Sequence, residues 1–432
     1  MSKDTGKKLA INMIFGIFLQ SMIALFFDTG GIVSGTIANF FMPATQVAWI
    51  TLMLGPLLAA RGDIAVLVGK LGTALHLGVV KPQIRNNTPE YKNLLSAVMT
   101  IALLDSVLVG VATYSVNLLT FGENKIFNPT LFFVIPIIVL VLAAFFSTII
   151  TSLVSFFTYK RGLNPDIYVC PVMSTVNNIL IASLYAGVVN IIRPWKRVET
   201  PEGLGYAIAG PDEMLGSYIA IIPAAICVGV VVYIIIRSLK KEDYRKMMKE
   251  AMPAVFLSAT IGTFTGLVLT RSEEALTRYP QLLIAFPALI GTLVDQCAIT
   301  SNILITNFSA GYIEPRVISV KEKKVWTTFV GVGLGGLVVT IFLGFIGTFI
   351  SIGDLIELYG SWFTIDILKV IVVTLLANII GFIIVLALIF VLSIIAFRKE
   401  MDPDNFAIPL VACLADFLCA SFIYVFSLLI LL

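Results

Sequence analysis

The chain has 432 residues, 58% of them hydrophobic and 13% charged, with a formal net charge of +3 and a mean hydropathy of +0.99. A soluble domain carries roughly 25% charged residues, so this chain holds about half the charge a solvated surface needs, and a water-soluble enzyme is excluded. At this hydropathy basic residues report orientation before they report ligands, and nothing points to nucleic acid.

The apolar residues fall in blocks of twenty or more, the length of a bilayer-crossing helix. The blocks predict helices near 9–33, 41–78, 93–119, 127–158, 166–192, 214–238, 251–270, 281–310, 324–351, 361–397 and 404–431. The expected class is therefore an all-α polytopic membrane protein of about eleven transmembrane helices. A β-barrel would alternate apolar and polar residues over short strands, unlike the run IIVLVLAAFF. The opening MSKDTGKK is polar and no small-residue cleavage site follows, so a retained first helix is expected, with no soluble domain ahead of it. The second and eighth blocks are expected to be interrupted, the second at Arg61-Gly62-Asp63 just after Pro56. If the amino terminus is cytoplasmic, 20 of the 29 basic residues fall inside, six outside and three within helices. The carboxyl terminus is then external. All five cysteines lie in apolar segments without a CxxC pair, which suits buried small hydrophobes rather than disulfides or thiolate metal sites. His76 fits a helix end better than a ligand.

An internal repeat organises these blocks. Residues 159–171, YKRGLNPDIYVCP, and 397–409, FRKEMDPDNFAIP, align at a shift of 238, which sets Asp166 on Asp404, Pro171 on Pro409 and Asn178 on Asp416. The same shift sets Phe18-Leu19 on Phe256-Leu257, and a nearby one aligns Thr73 to Pro82 with Thr306 to Pro315. Two five-helix units are expected, residues 1–193 and 250–432, with 194–249 supplying an external loop, a linker helix and a basic cytoplasmic joint. Five crossings would invert the second unit; the linker helix restores a parallel relation, so a pathway is expected near a pseudo-twofold axis along the membrane normal.

Six acidic residues fall within the predicted helices away from basic clusters: Asp28, Asp63, Asp105, Asp295, Asp366 and Asp416. A carboxylate at mid-bilayer costs about 2.5–3.5 kcal/mol on the mildest scale, so such groups face a cavity or a partner. Asp366 and Lys369, three apart, read as a structural ion pair. Asp28 reads as a helix end at the outer interface, and Asp105, lacking a counterpart in the other unit, as structural. Asp63 and Asp295 sit seven and eight residues after Pro56 and Pro287. Asp416 lies twelve residues beyond Asp404, about 18 Å along a helix and so at mid-membrane. Asn178 is its equivalent, with Ser174, Thr175 and Asn177 nearby. Magnesium keeps most of its water and is held by one or two carboxylates, so these residues suit a hydrated divalent cation. Protons and sodium also suit buried acids, and on chemistry alone the reading is a cation pathway. A single His and unclustered Cys argue against zinc, copper or iron.

The stretches DPDNFAIPLVACLAD (402–416), NPDIYVCPVMSTVNN (164–178) and PLLAARGDIAVLVGKLGTALHLG (56–78) resemble the membrane core of MgtE-type magnesium transporters, closest to solute carrier family 41, where two five-helix units are fused. The resemblance implies Mg2+ transport, with Asp416, Asn178, Asp63, Asp295 and Thr175 lining the cation path. It implies cation sites at the cytoplasmic mouth at Asp166, Asp402 and Asp404, and Lys70 as a counter-charge in a closed state. It also implies a multi-pass protein of the cell membrane, in contact with lipid and divalent cations, Mg2+ being cargo and Na+ a coupling ion in the exchanger variant. Channel and exchanger stay open, as do a single-chain pseudo-dimer and a homodimer. Two departures stand out: with eight polar residues ahead of the first helix, the cytoplasmic magnesium-sensing region of bacterial relatives is not expected, and Asn178 opposite Asp416 leaves one negative charge where symmetry would give two. The alternative is an H+- or Na+-coupled carrier of a small organic solute. An enzyme is not expected, since Asp63 and Asp295 sit in no catalytic motif.

Overall fold

The computed structural model describes the backbone of residues 3–42, 48–64, 66–121, 129–161, 165–192, 195–200, 203–208, 218–309, 311–351, 365–399 and 403–431. The expected first unit contains α1 (Lys3–Leu25), a 3-10 turn (Phe26–Gly30), α2 (Gly31–Phe41), α3 (Ala48–Ala59), α4 (Arg61–Ile64), α5 (Val66–His76), α6 (Pro89–Phe121), α7 (Leu131–Lys160) and α8 (Pro165–Ile192). Strands β1 (Trp195–Thr200) and β2 (Gly203–Ile208) precede α9 (Ile221–Ser238). The expected second unit contains α10 (Glu242–Arg271), whose first turns lie in the expected joint, α11 (Glu273–Arg278), α12 (Pro280–Ser309), α13 (Lys323–Ile350), α14 (Ile365–Arg398) and α15 (Pro403–Ile430).

Ten helices among the described residues are long and apolar enough to cross a membrane. The expected second crossing is interrupted at Ala60, the turn residue between α3, of 12 residues and too short to span alone, and the helical residues from Arg61 on. Pro56 inside α3 has no N–H for the Leu52 carbonyl, and the helix stops three residues later. The expected break in the eighth block is corrected: α12 runs unbroken with Pro287 inside it. Packing on nearly every side offsets one lost backbone bond, since α12 is the most buried of the ten spans. The first crossing breaks instead, at the 3-10 turn, and continues to Phe41 rather than ending near residue 33. The β1–β2 hairpin was not expected in the loop before α9. Its antiparallel register sets Trp195 opposite Ile208 and Thr200 opposite Gly203.

Matching geometry recurs in the two units. Gly78, after α5, and Gly311, after α12, both have φ of +70°, the left-handed conformation that glycine adopts at helix ends. The Gly78 amide donates to the Leu75 carbonyl, and the Val79 and Val80 amides to Ala74; Gly311 donates to Phe308, and Tyr312 and Ile313 to Asn307. The first helix of each unit packs on the other unit, α2 on α12 and α10 on α3, α1 on α13 and α10 on α6. Small residues allow the close crossings: Gly31 lies against Ala288 and Gly35 against the Ile284 carbonyl, while Gly262 lies against Pro56 and Gly266 against the Leu52 carbonyl.

This interlock brings α8 and α15 toward the broken crossings. Helix α8 supplies donors to backbone carbonyls there: Thr175 Oγ1 to Phe27 at 2.7 Å, Tyr185 Oη to Ile50 at 2.9 Å and Asn190 Nδ2 to Phe41 at 2.6 Å. Carbonyls at breaks within a bilayer have no water to bond, so side chains must serve. The outer face of α9 is apolar and exposed at Ile222, Ile226, Val230 and Ile236, as a lipid-facing helix requires. His76 ends α5, its ring edge-on to Tyr159. Cys227, Cys297, Cys413 and Cys419 are buried free thiols, as expected; the Cys170 side chain lies outside the described residues.

Candidate functional site

Asp416 on α15 and Asn178 on α8, matched positions of the two units, meet at one side chain, Arg61 of α4. Its Nη2 donates to Asp416 Oδ1 at 2.8 Å and its Nη1 to Asn178 Oδ1 at 2.9 Å. All three residues are at most 3% exposed. A guanidinium presents several donors in a rigid plane, so one group spans both acceptors where an ammonium would act as a point charge. Asn178 Nδ2 donates in turn to the Pro287 carbonyl at 3.3 Å, tying the cluster to α12. The counter-charge at Asp416 is thus Arg61. Lys70 sits nine positions further on, part-exposed on α5, whereas the α3–α4 break sets Arg61 level with Asp416.

A second group of acids lies alongside. Asp28 is buried within the first crossing, which corrects its expected place at the outer interface. The tight 3-10 turn carries it onto α12, where a Cβ on Gly291 would come within 3.3 Å of Asp28 Oδ1. Asp295, one turn after Gly291, neighbours Asp28, and Ser174 of α8 neighbours Asp295. Arg61 lies within electrostatic reach of both acids. Neither oxygen of Asp28 has a hydrogen-bond partner, nor has Oδ2 of Asp295 or of Asp416. In the other unit Asp63 of α4 neighbours Ser258 of α10, and Asp105 of α6 neighbours Asp63. Each proline-following acid therefore faces the first helix of the opposite unit, Asp295 meeting an acid and Asp63 a hydroxyl.

Thr175, expected on the cation path, bonds the Phe27 carbonyl and packs on Gly30, beside the 3-10 turn that carries Asp28. The side chains of Asp166, Asp402, Asp404 and Asp366 lie outside the described residues, and with Asp366 the expected pair to Lys369. Among the described residues no three His, Cys, Asp or Glu side chains form a cage that would hold a bare metal ion. The oxygens present, from carboxylates, an amide and hydroxyls, are hard donors suited to a cation that keeps much of its water.

A family model described as MgtE, divalent cation transporter, matches residues 56–188 and 286–426. The chain belongs to the MgtE divalent cation transporter family. No solved structure matches it. As an MgtE family member it is a multi-pass membrane transporter whose cargo is a divalent cation. The first match starts at Pro56 and the second one residue before Pro287, and each ends ten residues past Asn178 or Asp416. One copy of the family unit thus supplies Arg61 and Asn178, and the other Asp416.

Arg61 and Asp28 are the residues the sequence left in lesser roles. Arg61 is legible in principle, because a cation in an apolar block needs an acid partner. Asp28 is not, because its burial depends on a 3-10 turn that hydropathy does not mark.

Proposed function

We propose that this MgtE family member moves Mg2+ across the cell membrane through a pathway between its two units, lined by α4, α5, α8, α12 and α15. The observation that carries this reading is the convergence of Asp416 and Asn178, from different units, on a single cationic group within the membrane core. A position that holds a guanidinium between a carboxylate and an amide oxygen is one where a hydrated divalent cation finds the same ligands. Asp63 and Asp295 flank it as cation-attracting groups on the path, with Thr175 near the second. Asp166, Asp402 and Asp404 serve as sites at the cytoplasmic mouth, and Lys70 as a counter-charge in a closed state. The units span residues 1–193 and 250–432 around the 194–249 linker, run parallel, and keep the amino terminus cytoplasmic and the carboxyl terminus external. One chain then builds a whole pathway as a pseudo-dimer.

The test is Mg2+ flux into proteoliposomes holding the full chain, with voltage set by ionophores. Wild type is expected to carry flux and Asp416→Ala to lose it; normal flux in Asp416→Ala removes the central assignment. A Na+ gradient that changes the flux identifies an exchanger, and indifference to Na+ identifies a channel-like route.

A further inference from the structure

We infer that Arg61 is a tethered cation that holds the central site when no divalent ion is there, and that Asp28 and Asp295 receive it when the ion arrives. This rests on the Mg2+ pathway proposed above and deepens it. Arg61 bonds both groups that would ligate the ion, Asp416 at 2.8 Å and Asn178 at 2.9 Å, so the guanidinium and the ion compete for the same oxygens. They also repel each other, twice as strongly as two unit charges at the same separation. Loading the site therefore requires Arg61 to leave it.

The place to go is beside it. Asp28 is 2% exposed and neither of its oxygens has a partner, and Asp295 Oδ2 is equally unserved. When both are ionised, the two carboxylates are acceptors only and offer each other no donor, so the ionised pair is a vacancy for a multi-donor cation. Arg61 already lies within electrostatic reach of both. Its place in the chain is suited to movement: Arg61 directly follows Ala60, the turn residue at which α3 ends, where a few dihedral changes re-aim the side chain. A purely structural ion pair would explain the bonds to Asp416. It would not explain the carboxylate oxygens left without a partner next door, on α12 and the first crossing.

The experiment measures Mg2+ binding to the purified full chain in detergent, by calorimetric titration and by MgCl2-dependent thermal stabilisation. If the site is free of Arg61 about a tenth of the time, Arg61→Gln tightens apparent binding about tenfold. Arg61→Lys keeps a positive charge beside Asp416, and with it the fold, but grips less well; it is expected to tighten binding about threefold. Asp28→Asn removes the alternative berth and weakens Mg2+ about tenfold in wild type, yet leaves Arg61→Gln unchanged. That dependence on background is one a direct ligand would not show.

Unchanged or weaker binding in folded Arg61→Gln overturns the inference. Should Arg61→Gln fail to fold, unchanged or weaker binding in Arg61→Lys does the same. So does an Asp28→Asn effect of equal size in both backgrounds. Loss of binding in Asp416→Ala without any Arg61 effect sinks the tethered cation alone; binding indifferent to Asp416 sinks the pathway and this inference together.

Discussion

Gly266 of α10 lies so close to the carbonyl oxygen of Leu52 in α3 that a methyl group on the glycine would overlap it. Leu52 is the residue whose carbonyl Pro56 leaves without its i+4 donor, so the crossing seats the glycine on a buried backbone oxygen that lacks that bond. Gly35 of α2 sits in the same way on the Ile284 carbonyl of α12. Overpacking such a contact typically costs about 1–3 kcal/mol. Gly266→Ala and Gly35→Ala are each expected to lower the melting temperature in detergent, while Gly16→Ala, with nothing near its Cβ position, leaves it unchanged. Equal melting of all three would show that the two units do not depend on these crossings.

The Arg61–Asp416 pair predicts an asymmetric mutational cycle. Removing one partner of a buried pair leaves an uncompensated charge and costs about 3–5 kcal/mol, whereas removing both is far milder. Arg61→Ala alone is therefore expected to melt well below wild type, and Arg61→Ala with Asp416→Ala to recover part of the loss. Additive losses in the cycle would mean that the two groups do not compensate each other.

The class and the approximate number of crossings were legible because both rest on long, periodic signals, the apolar blocks. The repeat aligns Asp416 with Asn178, and the fold brings both to Arg61. The partner of Asp416 did not follow. Arg61 is 355 positions away from it in sequence, and no local pattern marks which basic residue the fold brings to its level. The breaks themselves were half legible. Proline marked both candidate helices, but Pro56 ends a helix and Pro287 does not, because the surrounding packing, invisible in a hydropathy profile, decides the outcome.

Tyr185 offers a separate test of how α8 supports the broken crossings. Its hydroxyl is wholly buried and donates to the Ile50 carbonyl at 2.9 Å. Tyr185→Phe removes that donor with little change in shape, and the net value of one such bond is about 0.5–1.5 kcal/mol. A modest fall in melting temperature is expected, with Mg2+ flux retained because the bond lies apart from Arg61, Asn178 and Asp416. Loss of flux at unchanged stability would place Tyr185 in the transport pathway instead.

Asn178→Asp restores the acid that symmetry with Asp416 would call for, and its effects oppose one another. A second carboxylate strengthens the hold of Arg61 on the site, but an ion of charge two gains twice as much from the added charge as a guanidinium does. Against this, the aspartate cannot donate to the Pro287 carbonyl as Asn178 does at 3.3 Å, a long and therefore weak bond. The charge effect is the larger in a buried setting, so Asn178→Asp is expected to bind Mg2+ more tightly than wild type and to discriminate more strongly against Na+. Titration with MgCl2 and with NaCl, followed by thermal stabilisation, measures both. Weaker Mg2+ binding in a stably folded Asn178→Asp would show that Asn178 serves the α8–α12 contact and not the ion.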